Sequence, residues 1–247
     1  MSFLLMDSFS PPYQEWNERN PTQEEMLEEI TLGNPPPRSV KLSLKSELSN
    51  YRAAAVYMIN EVSNNRLEFH IDRYLRNSQH FQINLSAMPT EDPEFISAYK
   101  HLYPSCDFDL VSNDIATYGR LLPNGQYLYH GGYIPNNVGD TFKTCRPLST
   151  SLCPQVAIRN ADWRGKAFDR GEIHLAVIKI TNPKTKAYIF SLDGELGNEK
   201  ELLIASGLKL RVVNKTLIRH DFPTSKANGV EPLKKIVPAY LIELDAE

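Results

Sequence analysis

Two carboxylates two residues apart, Glu199 and Glu201, open the apolar run Glu199-Lys200-Glu201-Leu202-Leu203-Ile204. If the run is a strand, side-chain alternation puts both acids on one face. Such a pair costs desolvation and mutual repulsion, and it suits a site that meets a developing positive charge. Two other segments carry chemistry that matches. Pro147-Leu148-Ser149-Thr150-Ser151-Leu152 puts three hydroxyls on a β-prone stretch, and a hydroxyl orients a carboxylate by donating a hydrogen bond to it. Tyr127-Leu128-Tyr129-His130-Gly131-Gly132 runs an aromatic strand into His-Gly-Gly, where the missing side chains let a ligand approach backbone N–H and C=O groups. Singly, each segment is ordinary: a solvated strand edge, a solvent-facing strand and a strand ending in a glycine turn.

The elements that must hold these residues divide along the chain. From Lys41 to about Lys100 the periodicity predicts helices. Leu48, Tyr51, Ala55, Met58, Ile59 and Val62 recur at helical spacing, and Ile71, Tyr74 and Leu75 continue on a second helix that breaks at Asn77-Ser78. Pro93 to Leu102 reads as another, with Asp92 as its N-cap. After about Ser105, short β-branched and aromatic runs alternate with Pro, Gly and Asn turns. They predict strands at 126–129, 140–142, 148–151, 172–180, 186–190, 200–205, 208–216 and 236–243. Helices first and strands after predict an α+β fold. Residues 1–38, acidic and rich in proline (Pro11-Pro12, Pro35-Pro36-Pro37), read as an N-terminal appendage with one short acidic helix from Gln23 to Ile30. The domain proper is then 39–247, a helical part over 39–105 and a β-rich part over 106–247.

Composition is that of an ordinary folded chain: 247 residues, 41% hydrophobic and 23% charged. A net charge of -3 gives no general basic footprint for nucleic acid, and leaves room for a local one. Three cysteines, Cys106, Cys145 and Cys153, are too few for a disulfide framework and have no zinc-site spacing. They imply a reducing compartment, with Cys145 and Cys153 read as small core residues. No apolar run approaches a membrane span, and the start, Met1 to Asp7, lacks the basic flank and length of a secretory signal. The expected location is a bacterial cytoplasm, or a host cytosol for a delivered effector. His70, His80 and His101 read as surface or hydrogen-bonded core histidines.

In their order, aromatic-His-Gly, then Ser-Thr-Ser, then Glu-x-Glu, the three segments resemble the catalytic core of mono-ADP-ribosyltransferases, the cholera-toxin-like and clostridial-toxin-like superfamily. The resemblance covers roughly residues 40 to 220, and Tyr51 to Arg76 is similar to that family's leading helices. It implies N-terminal helices packed on two antiparallel sheets that form an NAD-binding cleft, and an enzyme that moves ADP-ribose from NAD to a macromolecular acceptor. By resemblance, Glu201 is the carboxylate that stabilises the oxocarbenium-like ribose, Glu199 contacts the nucleophile, and Ser149 orients Glu201. Thr150 and Ser151 shape the strand and hold the nicotinamide-ribose side, and Gly131 binds the carboxamide through its backbone. A Glu at position 199 points to arginine in a target protein. The polar stretch from Asn160 to Gly171 matches the phosphate–nicotinamide loop, with Trp163, Phe168, Arg164 and Arg170 as candidates. Leu192 or Leu196, in the loop before the acids, suits macromolecular contact if exposed.

One position departs from the pattern. The branch with Ser-Thr-Ser usually has Arg where this chain has His130, while His-Gly is typical of the diphtheria-toxin branch. A neutral histidine hydrogen-bonds a ribose hydroxyl but cannot clamp a phosphate as Arg does. Arg146, or the alternative first-motif residue Arg120, would supply the cation. The departure keeps a second reading open, ADP-ribosylation of a nucleic-acid base by a toxin of a toxin–antitoxin or anti-phage system. NAD glycohydrolysis and an inactive binding module are further alternatives. The implied partners are NAD and a macromolecular acceptor, protein ahead of nucleic acid, with an antitoxin, chaperone or host activator as additional candidates. No metal and no membrane are implied.

Overall fold

The first four helices each start where a side chain replaces a missing backbone partner. Thr22 and Glu25 form a reciprocal capping box on α1 (Gln23–Thr31). Asn50 accepts from the Ala53 N–H at the start of α2 (Tyr51–Glu61), and Asn64 from Leu67 at the start of α3 (Asn65–Asn77). Ser78 accepts from Phe81 to begin α4 (Gln79–Ser86). The computed structural model describes residues 2–134, 137–194 and 197–247. Around these helices lie β1 (Tyr13–Arg19) before α1 and β2 (Val40–Leu48) after it, an antiparallel pair. Beyond α4 come α5 (Glu94–Leu102) and α6 (Phe108–Tyr118).

The second half builds the main sheet. In chain order its elements are β3 (Arg120–Leu121), β4 (Tyr127–Gly131), β5 (Thr141–Lys143) and β6 (Leu148–Ser151). Helices α7 (Pro154–Asp162) and α8 (Lys166–Arg170) follow, then β7 (Ile173–Ile180), β8 (Lys186–Ile189), β9 (Glu201–Ile204), β10 (Lys209–Lys226) and β11 (Leu233–Ala246). Their spatial order is β3-β8-β9-β6-β4-β7-β11-β10-β5, antiparallel except for the β7–β11 pair. The order has a weak seam. β6 and β4 share one register pair, Tyr129 with Ser151, whereas β4–β7 shares five, from Tyr127 with Lys179 to Gly131 with Leu175. The two sheets expected from the sequence are therefore two halves joined at one point. Past Tyr129 no β6 residue pairs with His130 or Gly131, so the strands part there, between the two halves where the resemblance implies a cleft. Helix α2 buries Tyr51, Ala54, Ala55, Met58 and Ile59, and α3 buries Leu67, Ile71 and Leu75, in the core they share with the sheet.

Several sequence expectations differ from what the chain does. The first residues are part of the core, not an appendage. Phe3, Met6 and Phe9 are buried. The Gln126 amide bonds both backbone groups of Met6, at 2.9 Å each, and Asn84 does the same for Leu4, at 2.7 and 2.8 Å. The signal was the three-residue spacing of Phe3, Met6 and Phe9. Val40–Leu48 is a strand where a helix was expected, because Val40, Leu42 and Leu44 alternate with Lys41, Ser43 and Lys45 and only β1 is there to pair with. Helix α6, capped by Asp107, lies inside the part read as β-rich, where the sequence predicts no element before residue 126. Asp92 does not cap α5, whose N-cap is Pro93. Its carboxylate bonds Lys100 at 3.0 Å and the Tyr188 hydroxyl at 2.9 Å. Cys153 is buried as expected, but Cys145 is exposed. Among the described residues no helix is long and apolar enough to cross a membrane.

The burial of the first segment makes a direct prediction. Met6 is fully buried, so Met6→Ala is expected to cost about 3 kcal/mol in urea unfolding. A value near zero would restore the appendage.

Candidate active site

The Glu-x-Glu segment is only half strand. Glu201 begins β9, while Glu199 ends a short 3-10 turn over Gly197–Glu199. Between them Lys200 takes φ +50°, a left-handed conformation that costs a side-chain-bearing residue about 1 kcal/mol. Neighbours hold it there. The Lys200 carbonyl accepts from the Leu152 N–H at 3.2 Å. Its ammonium, 4% exposed, donates to the Asn198 carbonyl at 3.0 Å and lies 3.5 Å from Glu68 and 3.8 Å from Asp72 on α3. The two acids thus do not share a strand face through simple alternation. A reversed backbone at Lys200, with its side chain anchored on α3, sets Glu199 close enough to raise the pKa of Glu201.

Register explains the hydroxyls. Ser151 stands opposite Glu201 in the β6–β9 pair, so Ser149 lies two residues along, on the same face and diagonal to the acid. The Ser149 side chain is near enough to the Glu201 carboxyl to lower its pKa. Thr150, on the other face, donates to the Leu202 carbonyl at 2.7 Å. Ser151 donates to the Glu199 carbonyl at 2.7 Å and accepts from the Cys153 N–H at 3.0 Å. Thr150 and Ser151 therefore bond the backbone of the segment that carries the acids, and Ser149 faces the Glu201 carboxyl.

Glu201 is 8% exposed, and burial pushes its pKa up to about 7. Ser149 and Lys100 pull it down, while Glu199 and Asp92 push it up. Burial also raises Glu199, against Arg159 and Lys100. Asp92 and Lys100, just before and within α5, thus act on Glu201, and burial together with Glu201 raises the pKa of Tyr99 on the same helix. None was a sequence candidate, because nothing in the spacing of α5 links it to a strand a hundred residues later.

Across the seam, the His130 ring reaches the second motif. The Ser149 carbonyl can only accept, so Nδ1–H donates to it, at 2.8 Å. Burial lowers the His130 pKa, and Lys166 and Arg146 lower it further. The neutral ring then presents an unprotonated Nε2. A side chain at Gly132 would collide with that nitrogen, and one at Gly131 would fall on the Ala157 carbonyl of α7. Both glycines are required by close approach. Arg120 lies on β3, four strands from β4 at the far end of the sheet's order, roughly 19 Å away at strand spacing.

The cations gather from the loop after α7. Burial lowers the Lys166 pKa, and Arg146 and Arg164 lower it further; Arg146 and Lys166 also lower the pKa of His130, so these positive side chains act on the same end of β4. Lys166 was missed in the sequence, where its neighbours Arg164 and Arg170 drew attention as guanidiniums. Trp163 is 60% exposed, with the Arg164 guanidinium 5.8 Å from its ring. Arg170 stacks 4.0 Å over Tyr133, which lies against His174. The Phe168 ring packs under the Lys235 ammonium at 5.5 Å. In the loop before the acids Leu192 is buried, contrary to the exposed contact expected; Leu196 lies outside the described residues. Among the described residues no group of His, Cys, Asp or Glu side chains could hold a metal ion.

Raising a carboxyl pKa has a linkage consequence. The fold holds the Glu201 proton more tightly than the unfolded chain does. The stability this gives is complete below about pH 4.5 and is lost as pH rises through about 7. Glu201→Gln, neutral throughout, is expected to match the wild type near pH 4.5 and to exceed it by about 3 kcal/mol at pH 8. Urea unfolding across that range checks this; equal curves would mean that Glu201 is solvated.

No family model matches the chain, and no curated protein matches its sequence. Solved structures do. The enzymatic component C2-I of the C2-toxin from Clostridium botulinum is 11% identical over 70% of this chain and 49% of its own, with a TM-score of 0.40. This chain spans about half the length of that component. The Vis toxin, an ADP-ribosyltransferase from Vibrio splendidus, is 15% identical over 93% of this chain and 88% of its own, with a TM-score of 0.36. Plx2a, an ADP-ribosyltransferase toxin from Paenibacillus larvae, is 13% identical over 78% and 91%, with a TM-score of 0.34. The chain is similar to ADP-ribosyltransferase toxins, at an identity that leaves its own chemistry to be read from its own residues.

Proposed function

We propose that the chain is a mono-ADP-ribosyltransferase that moves ADP-ribose from NAD to an arginine of a target protein. The observation that carries this reading is Glu201, a buried carboxyl whose pKa Ser149 lowers and Glu199 raises, with His130 across the seam bonded to the Ser149 carbonyl. The donor set suits NAD. Arg146, Arg164 and Lys166 form a cationic end for a pyrophosphate. Gly131 and Gly132 leave backbone approachable, and exposed Trp163 offers a stacking face for nicotinamide.

When NAD is bound, cleavage of its nicotinamide–ribose bond sends the electron pair to the neutral base and leaves positive charge on the ribose. The ionised Glu201 carboxylate meets that charge, more strongly in the transition state than in the ground state. Ser149 holds the carboxylate in place. His130 Nε2 accepts from a ribose hydroxyl, a role that requires the neutral ring its burial favours. Glu199 pairs with the incoming guanidinium and takes its proton as the nitrogen attacks. Thr150 and Ser151 act through the backbone, by fixing β9 and the turn before it against β6.

Incubation with labelled NAD and agmatine as acceptor tests the reading. Glu201→Ala is expected to abolish all nicotinamide release, and full activity in that variant would overturn the proposal. Glu199→Gln should lose transfer to agmatine by at least about a hundredfold while retaining NAD hydrolysis; unchanged transfer would remove the role given to Glu199. Because Glu201 must be ionised, kcat/KM should rise with pH through about 7. Ser149→Ala, which removes a hydroxyl that favours the ionised form, should move that rise to higher pH. A profile insensitive to Ser149 would separate the hydroxyl from the acid.

A further inference from the structure

Helix α3 has a second face that the catalytic reading leaves unused. Its inner stripe is Leu67, Ile71 and Leu75. On the outside, Arg66, Phe69, Arg73 and Arg76 recur at spacings of three and four residues and form one ridge. Phe69 stands in the middle of that ridge, 67% exposed. Facing it is the β1–β2 pair, with the Lys41 ammonium 4.8 Å over the Trp16 ring. Between ridge and pair runs an open groove of about 870 Å³, floored near Pro11 and Tyr13. A row of guanidiniums around an exposed aromatic is unusual on a chain whose net charge is -3.

The charges in the groove decide what fits it. Arg66 is paired with Glu18 at 3.0 Å. Arg76 is shared between Asp72 at 2.9 Å and Asp193 at 2.7 Å. Among the described residues, Lys41 and Arg73 have no carboxylate partner. Two uncompensated cations set between aromatic and proline walls do not make the row that a phosphate backbone requires. They suit one or two carboxylates carried among apolar side chains. The groove also has a direction. Asp72 lines it and lies 3.8 Å from Lys200, and Arg76 at its end bonds Asp193 on the loop leading to Glu199.

We propose that this groove docks an acidic, apolar segment of the acceptor protein and so delivers the acceptor arginine to Glu199. The proposal rests on the arginine-directed reading for its purpose, but the groove's preference for such a segment stands apart from it. The α3 helix with its side chains is about 10 Å across, and an extended chain covers roughly 3.3 Å per residue. The acceptor arginine therefore lies at least about three residues from the docked acids.

Selection of a random dodecapeptide display library on the purified chain tests this, followed by fluorescence polarisation of the selected peptides. Enrichment of Asp or Glu beside Leu, Phe or similar residues is expected. Binding should weaken about tenfold in Arg73→Glu and in Phe69→Ala, while both variants cleave NAD as the wild type does. Selected peptides without acidic enrichment, or bound equally by Arg73→Glu, would overturn the proposal. A fluorescent oligouridylate bound more tightly than any peptide, and lost in Arg73→Glu, would overturn it in favour of nucleic acid. Absent NAD cleavage in the wild type would instead fail the enzymatic reading, and peptide binding would still report on the groove.

Discussion

An ionisable carboxyl held 8% exposed beside a second one is the constraint around which this structure is arranged. Burial alone would keep Glu201 protonated, and a protonated acid cannot meet a positive ribose. The surrounding elements each offset part of that cost. The Ser149 hydroxyl on the neighbouring strand and the Lys100 ammonium from α5 both favour the ionised form. Neither removes the cost completely, and the pKa settles at about 7, where the acid is available at neutral pH but still strained in its charged state. The fold is stabler with the proton on, and the proposed chemistry requires it off. That opposition is the expected signature of a site kept for function at some cost in stability.

The second constraint is topological. If β4 and β6 were zipped along their length, His130 and Gly131 would be sealed against Ser149. A single shared pair, Tyr129 with Ser151, leaves the strands adjacent but lets them part immediately after it. The His130 ring then spans the parting to the Ser149 carbonyl, so the first and second motifs are joined by a side chain where the backbone ladder stops. Gly131 is needed here for a reason unrelated to ligand: α7 packs so closely on β4 that no side chain fits. The same absence that allows the helix to seat also leaves the backbone bare on the cleft side.

The parts of this arrangement legible in the sequence were local ones. Leu148–Ser151 reads as a strand from its composition alone and is one. The short acidic helix from Gln23 and the break at Asn77-Ser78 follow from residue type, and the structure has both. What sequence could not give is whatever depends on distant partners. Lys200 sits between two glutamates and reads as a strand residue, yet it adopts a left-handed turn because Glu68 and Asp72, over a hundred residues earlier, hold its ammonium. Val40–Leu48 has an apolar alternation that helical expectations overran, since its partner strand lay in a segment read as irregular. Lys166 escaped notice because its importance is electrostatic and shared with Arg146, twenty residues away on another element.

The histidine in place of the expected arginine shows how such a site divides its work. An arginine on β4 would bind phosphate and fix the strand end at once. His130 does only the second, through Nδ1, and its burial beside Arg146 and Lys166 drives it to the uncharged form. A protonated ring there would add a further cation near Lys166, whose pKa burial, Arg146 and Arg164 already lower. The positive charge that one arginine would have carried is thus spread over residues from the β6 approach and the loop after α7. The neutral ring is left as a hydrogen-bond acceptor at the cleft, a chemistry arginine cannot supply. The substitution changes what β4 can recognise without removing the cationic end, and that is why the site remains coherent despite departing from the pattern its sequence resembles.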